Sequence, residues 1–191
     1  MSVPRLLSRL LAPGLALPLA LMVVPPAALA QSVAVADPAP LEFMGFRAGA
    51  TLDDITARVD SDDGGHLKCE HSRVDPRVTE CRAALADPDL GGPVDLWLSA
   101  IDGVTGVLTL SSGVAADQLD DWRGRLERQY GRVGAKVQGT QWMMQWVRRG
   151  RMIRLTWRVQ QGERTASVSL VDGHVLDAWR PARGAAMKGS Q

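Results

Sequence analysis

The strongest constraint on the fold is a set of short alternating apolar runs that follow each of two amphipathic helical segments. The two helices are predicted at 51–60 and 115–130, and each is followed by four such runs. The predicted strands are 66–71, 79–85, 94–101, 104–110, 141–147, 151–159, 165–171 and 174–178. The last two strands of each set are joined by Asp-Gly, a strong hairpin signal. This internal repeat predicts an α+β protein of two tandem helix-plus-antiparallel-sheet units, 41–111 and 112–179, forming a two-layer fold.

The helices carry their own start and stop signals. Thr51-x-x-Asp54 is a capping box, and Leu52, Ile55 and Val59 follow it at helical spacing. The second helix ends at Gly131, and its apolar stripe consists of Leu119, Trp122, Leu126 and Tyr130.

The first 30 residues have the pattern of a signal peptide. Arg5 and Arg9 precede an apolar run, and the segment ends in Ala28-Leu29-Ala30. A membrane-spanning helix would need about 20 apolar residues without the prolines found here. We therefore expect cleavage near Ala30 and a periplasmic or secreted chain without a transmembrane span. We expect its residues 31–40 to be a flexible linker, 41–179 a single domain and 180–191 a disordered tail.

The chain has two cysteines, which an oxidising compartment would favour as a pair. A turn at 72–78, which contains Asp75-Pro76, places Cys69 opposite Cys81 on neighbouring strands. The pattern predicts a disulfide. The alternatives are a redox thiol or a metal site with His66 and His71, although the C-x-x-C spacing is lacking.

Two short motifs carry a resemblance to known proteins. Gly49-x-Thr51-Leu52-x-x-Ile55 and Leu126-x-x-x-Tyr130-Gly131 resemble the helix-opening and helix-closing motifs of small bacterial envelope proteins. These include the outer-membrane-assembly small lipoproteins and the tandem-repeat β-lactamase inhibitory proteins. The resemblance implies a two-layer α+β fold whose sheet face or loops bind other proteins. The chain departs from the former by lacking a lipidated cysteine and from the latter by lacking a second disulfide.

The tryptophans predict a strand register in the second unit. A two-residue turn at Arg149-Gly150 pairs Trp142 with Trp157, Met144 with Leu155, and Trp146 with Ile153. A four-residue loop at 161–164 would then bring Leu170 opposite Leu155 and Val168 opposite Trp157. All these side chains fall on one face, which we interpret as the core. An aromatic ligand cage is the alternative.

The opposite face is the predicted binding surface. Its residues are of types enriched at protein interfaces, and a basic turn adjoins it. The predicted binding residues are Met143, Met152, Arg154, Arg158 and the turn residues Arg148, Arg149 and Arg151, with Trp97 joining them if the two sheets are contiguous. The alternative is an antiparallel sheet that shows an ordinary polar face to water.

The distribution of charge and the absence of known motifs limit the classes of function that the chain can have. Residues 31–121 hold 6 Lys+Arg against 17 Asp+Glu, whereas 122–191 hold 14 against 4. The basic half favours an anionic partner, and no nucleic-acid recognition motif is found. Nor is there a nucleophile, zinc or phosphate-loop motif, and the calcium-like run from Asp60 lacks its later ligands.

We therefore expect a non-catalytic binding or scaffolding module of the cell envelope, without cofactor or metal. Its partner would be another envelope protein or an anionic envelope component, and not nucleic acid. The alternative is a metal-dependent or hydrolytic enzyme with its site in the acidic segment 60–71, where Asp60, Asp62, Asp63 and His66 could gather a weak cation.

Overall fold

The computed structural model describes residues 40–61, 65–86 and 92–179, all of which belong to the compact unit Pro38–Gln191. The predicted signal peptide 1–30, nearly all of the predicted linker and the predicted tail 180–191 lie outside the described residues. The helices are α1 (Leu52–Asp60), α2 (Ala116–Tyr130) and α3 (Gly173–Trp179). The strands are β1 (Glu42–Phe43), β2 (Phe46–Arg47), β3 (Lys68–His71), β4 (Val78–Leu85), β5 (Val94–Ile101), β6 (Val104–Gly113), β7 (Lys136–Gln138), β8 (Gln141–Arg148), β9 (Arg151–Gln160) and β10 (Glu163–Asp172).

Eight of these strands form one continuous antiparallel sheet in the order β3-β4-β5-β6-β10-β9-β8-β7, and β1 and β2 form a separate hairpin. The sheet is continuous because β6 pairs with β10, for example Leu110 with Val168. The prediction of an α+β fold of two tandem helix-plus-sheet units is therefore wrong. The chain is mostly antiparallel β-sheet, and its inward side chains belong to a single hydrophobic core.

Four hairpins turn on two residues that both have positive φ, the second being glycine: Met44-Gly45, Asp102-Gly103, Arg149-Gly150 and Gln161-Gly162. Such turns match the right-handed twist of the strands they join. The predicted turns at Asp102-Gly103 and Arg149-Gly150 are confirmed. So is the β8–β9 register, with Trp142 opposite Trp157 and Trp146 opposite Ile153.

Two predictions about the last strands are wrong. The turn at Gln161-Gly162 is shorter than the predicted loop 161–164, so β10 pairs with β9 two residues out of the predicted register. Val168 lies opposite Leu155 and Leu170 opposite Ile153, and both side chains stay on the inward face. The segment predicted as strand 174–178 is α3, because Asp172 does not enter a turn but accepts hydrogen bonds from the first amides of a helix.

The core lies between the inward face of the sheet, α1 and α2. The predicted capping box of α1 is confirmed by reciprocal hydrogen bonds between Thr51 and Asp54. At the start of helix α2 the Ala115 side chain cannot cap, but Gln118 Oε1 accepts from the Ala115 N–H at 3.3 Å. The buried residues of α2 are Leu119, Trp122, Leu126 and Tyr130, which match the predicted stripe.

The tryptophan cluster is only partly a core feature. Trp146 is buried, and its Nε1 donates to the Gly131 carbonyl at 2.7 Å. Trp157 is half-buried, whereas Trp142 is 46% exposed and stacks on Trp157 with 6.1 Å between ring centroids. Placing Trp142 in the core was wrong, because its other neighbour in the sheet is Val137 of the short, exposed edge strand β7.

The predicted disulfide is confirmed. Cys69 and Cys81 lie opposite each other on β3 and β4 and are bonded, which leaves no free cysteine in the described part of the chain. Cys81 is fully buried while Cys69 is exposed, so the bond ties an edge strand to the core. The free-thiol and thiolate-metal alternatives are therefore wrong.

Candidate binding face

One row of side chains runs across seven strands on the face of the sheet opposite the core, which we call the outer face. Each member lies opposite the next in the register, so the row is continuous. We call it the central row: Lys68 (β3), Arg82 (β4), Trp97 (β5), Thr109 (β6), Ser169 (β10), Arg154 (β9) and Gln145 (β8). Trp97 and Arg154, predicted from separate units, therefore share one face.

Their spacing follows from the strand order. Trp97 and Arg154 are separated by three strand intervals, which corresponds to about 14 Å between their backbones at about 4.8 Å per interval. Both side chains are half-buried. They therefore belong to one face of a size that a single partner can cover.

Hydroxyl groups fill the space between them. The Oγ1 of Thr109 lies 3.0 Å from the Oγ of Ser169, and the Oγ1 of Thr156 lies 2.7 Å from the Oγ of Ser167. These pairs are on β6, β10 and β9, in the middle of the sheet. Small hydroxyl side chains leave the sheet surface low at this point, between the larger Trp97 and Arg154.

The guanidinium of Arg154 is held by neutral groups. Gln145 Oε1 accepts from Arg154 Nη2 at 2.9 Å and from Nε at 3.1 Å, and Met152 Sδ lies 3.5 Å from Nη2. Arg154 takes part in no ion pair in the described part of the chain. Its orientation is fixed while its charge has no counter-charge.

A cleft of about 550 Å³ adjoins the other end of the row. The charged, imidazole and aromatic side chains that line it are those of His66, Lys68, Arg82, Asp95 and Trp97. Lys68 and Arg82 lie directly opposite each other, an arrangement of like charges that is unfavourable in itself. Neither cation forms an ion pair or a side-chain hydrogen bond within the described residues. The cleft therefore holds two unpaired cations and the one carboxylate of Asp95, and the Trp97 ring lines it beside them.

The other predicted outer-face residues lie on β8 and β9, at the Arg154 end of the row. Met143 lines a smaller cleft of about 310 Å³ with Val133, Lys136 and Gln145. Met152 is half-buried beside Arg154, and Arg158 is exposed. The face therefore mixes methionine, tryptophan and arginine, as the alternation in the sequence predicted.

Two arginines of the predicted basic turn, Arg148 and Arg151, do not lie on this face. Arg148 donates to the Tyr130 carbonyl at 3.1 Å and lies over the Tyr130 ring, at the core side of the sheet. Arg151 pairs with the carboxylate of Asp172, and the Arg149 carbonyl lies 2.9 Å from Nε2 of His174. The side chains of Arg148 and Arg151 thus contact α2 and β10, and the backbone of Arg149 contacts α3. The basic cluster predicted from the sequence is therefore divided.

Asp172 is the charged centre of that arrangement. Burial alone would raise the pKa of Asp172, but the hydrogen bond and charge of Arg151 and the backbone amides of His174 and Val175 outweigh it, so the pKa is lowered. Gly49 comes so close that a Cβ there would overlap the carboxylate. The carboxylate is therefore ionised and structural.

Helix α3 covers one end of the outer face. Leu176 packs on Gly106, and a cleft of about 330 Å³ beside it is lined by Glu80, Ser99 and Trp179 among others. Trp179 Nε1 donates to Asp75 Oδ2 at 2.9 Å. The hydrogen bonds from Arg77 and Trp179 hold the pKa of Asp75 well below its ordinary value.

The acidic segment 60–71 is exposed to solvent at Asp60 and His66, in the part that the structure describes. Asp60 Oδ1 lies 3.8 Å from Nδ1 of His66, with both side chains exposed, and Nδ1 of His71 lies 3.1 Å from Thr79 Oγ1. Asp62 and Asp63 lie outside the described residues. Within the described ranges, no three His, Cys, Asp or Glu side chains are grouped to hold a metal ion.

Comparison of the chain with protein-family models, curated proteins and solved structures finds no match. In the described part of the chain, none of the helices has the length and apolar character needed to cross a membrane.

Of the central row, only Trp97 and Arg154 were predicted as binding residues; sequence reasoning did not predict the other five, Lys68, Arg82, Thr109, Ser169 and Gln145. Arg82 had a usable signal, since it alternates with Cys81, which the disulfide places inward. Thr109 and Ser169 had none, because small hydroxyl residues acquire their position only from the β6–β10 pairing. That pairing joins residues about 60 positions apart, beyond the reach of any local pattern.

Proposed function

We propose that this protein is a non-catalytic binding module of the cell envelope, and that another protein docks on the outer face of its sheet. The observation that carries this is the central row, which places Trp97 and Arg154 on one continuous surface. Tryptophan and arginine dominate the energetic centres of protein interfaces.

Preorganisation favours the same conclusion. Trp97 and Arg154 are half-buried, and Arg154 is held by Gln145 and Met152. Side chains that are already ordered lose less conformational entropy when a partner binds. Each hydroxyl pair between them already shares one hydrogen bond, and the remaining O–H of each pair is left to donate to a polar group of the partner.

The proposed compartment has two supports. The first 30 residues have the pattern of a signal peptide, for which we propose cleavage after Ala30. The Cys69–Cys81 disulfide is compatible with a secreted or periplasmic protein, because such bonds persist in oxidising compartments. The partner should therefore be an exported protein or an envelope-exposed domain.

Site-specific photo-crosslinking in cells tests the proposal. A photoreactive amino acid at Ser169, in the middle of the central row, should yield a defined cross-linked protein. The same group at Arg125, exposed on α2, should not. Trp97→Ala and Arg154→Ala should each abolish the Ser169 product, while Val74→Ala, a change at a 95% exposed loop residue, should leave it. A product that persists in both variants would refute this use of the outer face.

A further inference from the structure

We propose that the outer face recognises an extended acidic segment of its partner, with one carboxylate in the cleft at Lys68 and Arg82 and a second at Arg154. This inference rests on the proposed function and specifies the chemistry of the docked segment. Neither Lys68 nor Arg82 is among the binding residues predicted from the sequence.

The first support is the charge of the central row. It contains three cations and no acid. Lys68 and Arg82 face each other directly, at a cost in repulsion that a carboxylate between them would remove. Charge-assisted hydrogen bonds to a carboxylate are also stronger than those between neutral groups. The cleft beside Trp97 has room for such a group, at about 550 Å³.

The second support is Arg154. The residue is half-buried, and its guanidinium is oriented by the neutral side chains of Gln145 and Met152 and forms no ion pair within the described residues. A guanidinium fixed in this way meets a carboxylate with little further ordering. A second anionic contact is therefore expected at the far end of the row.

The distance between these two points limits the sequence of the segment. Arg82 on β4 and Arg154 on β9 are four strand intervals apart, which corresponds to about 19 Å. An extended chain advances about 3.3 Å per residue, so it covers this distance in about six residues. Because alternate residues of an extended chain share a face, acids at positions i and i+6 would both point at the sheet.

Trp97 determines which kind of residue the partner segment should carry between its two acidic positions. It follows Arg82 directly in the row, so position i+2 of the segment would lie over Trp97 and Thr109. An apolar or aromatic side chain there would pack on the indole ring. Asp95 also lines the cleft and would repel a second carboxylate, so one acid at this end is favoured over two.

Synthetic peptides of ten residues test this chemistry directly. The probe carries Glu at positions 2 and 8, Leu at position 4 and Ser or Thr elsewhere, with both termini blocked. The controls replace both Glu by Gln, or move the second Glu to position 5. Binding is followed by NMR through the Trp97 indole N–H and the Arg154 Nε–H of the purified, disulfide-bonded protein.

We expect the probe to bind about tenfold more tightly than either control at low salt, and to lose that advantage at high salt. Lys68→Gln combined with Arg82→Gln should remove most of the difference. Equal binding of the probe and the Gln peptide, or no detectable binding of any of the peptides, would overturn the inference.

The cross-linked partner separates this inference from the proposed function. If the Ser169 product is lost in Trp97→Ala but retained in the Lys68→Gln and Arg82→Gln double variant, the outer face is a docking surface and the acidic segment is wrong. If the product survives every one of these changes, the proposed function itself fails. Loss of the product in both variants supports both.

Discussion

Arg151 and Asp172 pair across β9 and β10, with 2.7 Å between Arg151 Nε and Asp172 Oδ2. The Asp172 side chain is only 2% exposed, whereas that of Arg151 is 44% exposed. The other carboxylate oxygen, Oδ1, accepts from the backbone N–H of His174 at 2.9 Å. One carboxylate therefore both closes the end of the sheet and starts helix α3.

Removing this carboxylate should release α3. We expect Asp172→Ala to lower the free energy of unfolding by about 2–3 kcal/mol, because a cap and a charge-assisted hydrogen bond are lost together. Asp172→Asn keeps the cap acceptor and should cost less. Arg151→Met is the matched control for the ion pair. Chemical denaturation measures all three, and an Asp172→Ala protein as stable as wild type would contradict the assignment.

Acid should weaken the same site. The pKa of Asp172 is lower in the folded protein than in the unfolded chain, where it is about 3.9. Its ionised form therefore stabilises the fold above pH of about 4, and that stability is lost as the pH falls through the folded pKa. The stability difference between wild type and Asp172→Asn should be largest near neutral pH and shrink in acid. A difference that stays constant down to pH 2 would exclude this linkage.

The disulfide should contribute stability through the loop it closes. Cys69 and Cys81 are 12 residues apart, and closing a loop of this size stabilises a fold by about 3 kcal/mol in the chain-entropy model. We expect that loss in the Cys69→Ala, Cys81→Ala double variant. A reducing agent should destabilise wild type by a similar amount and leave the double variant unchanged, which controls for effects of the reagent.

The tryptophans should differ widely in their contribution to stability. Trp122 is 2% exposed, and we expect Trp122→Ala to cost about 3–5 kcal/mol through an emptied core site. Trp142 is 46% exposed and keeps only its stacking on Trp157, so Trp142→Ala should cost about 1 kcal/mol. Thermal melts of the two variants compare them, and equal losses would place Trp142 in the core after all.

Two turn glycines provide a matched pair. Gly150 and Gly162 both have positive φ, at 74° and 84°, so alanine is strained at either. A Cβ at Gly150 would lie 2.7 Å from His174 Nε2, while one at Gly162 meets nothing within 4 Å. Gly162→Ala should therefore cost about 1 kcal/mol and Gly150→Ala clearly more. Equal melting temperatures would show that α3 does not dock on the β8–β9 turn.

Features that depend on neighbouring residues were predictable from the sequence. The Thr51–Asp54 capping box, the Cys69–Cys81 pair and the β8–β9 register all follow from local spacing, and the structure confirms them. The β8–β9 register is predictable because its two-residue turn leaves only one register that keeps the apolar side chains on one face.

Features that depend on distant partners were not predictable. The pairing of β6 with β10 joins the two predicted units into one sheet. No local sequence pattern shows whether two strands pair with each other or each forms the edge of a separate sheet. Asp172-Gly173 failed as a turn because the same Asp side chain suits a helix cap, and the choice depended on Arg151 and Gly49, which approach it from elsewhere. Thr109 and Ser169 could not be predicted as part of the candidate face for the same reason, because their position depends on the β6–β10 pairing.

The central position of β10 also affects how the chain matures. Strand β6 is ten residues long and has β10 as its partner on one side, yet β10 is the last of the described strands to be synthesised. Until β10 arrives, β6 is a long open edge with alternating apolar residues, the kind of edge that pairs with other chains. A product truncated before Glu163 would lack this partner, so premature termination or proteolysis there should yield aggregating fragments and not a smaller folded domain.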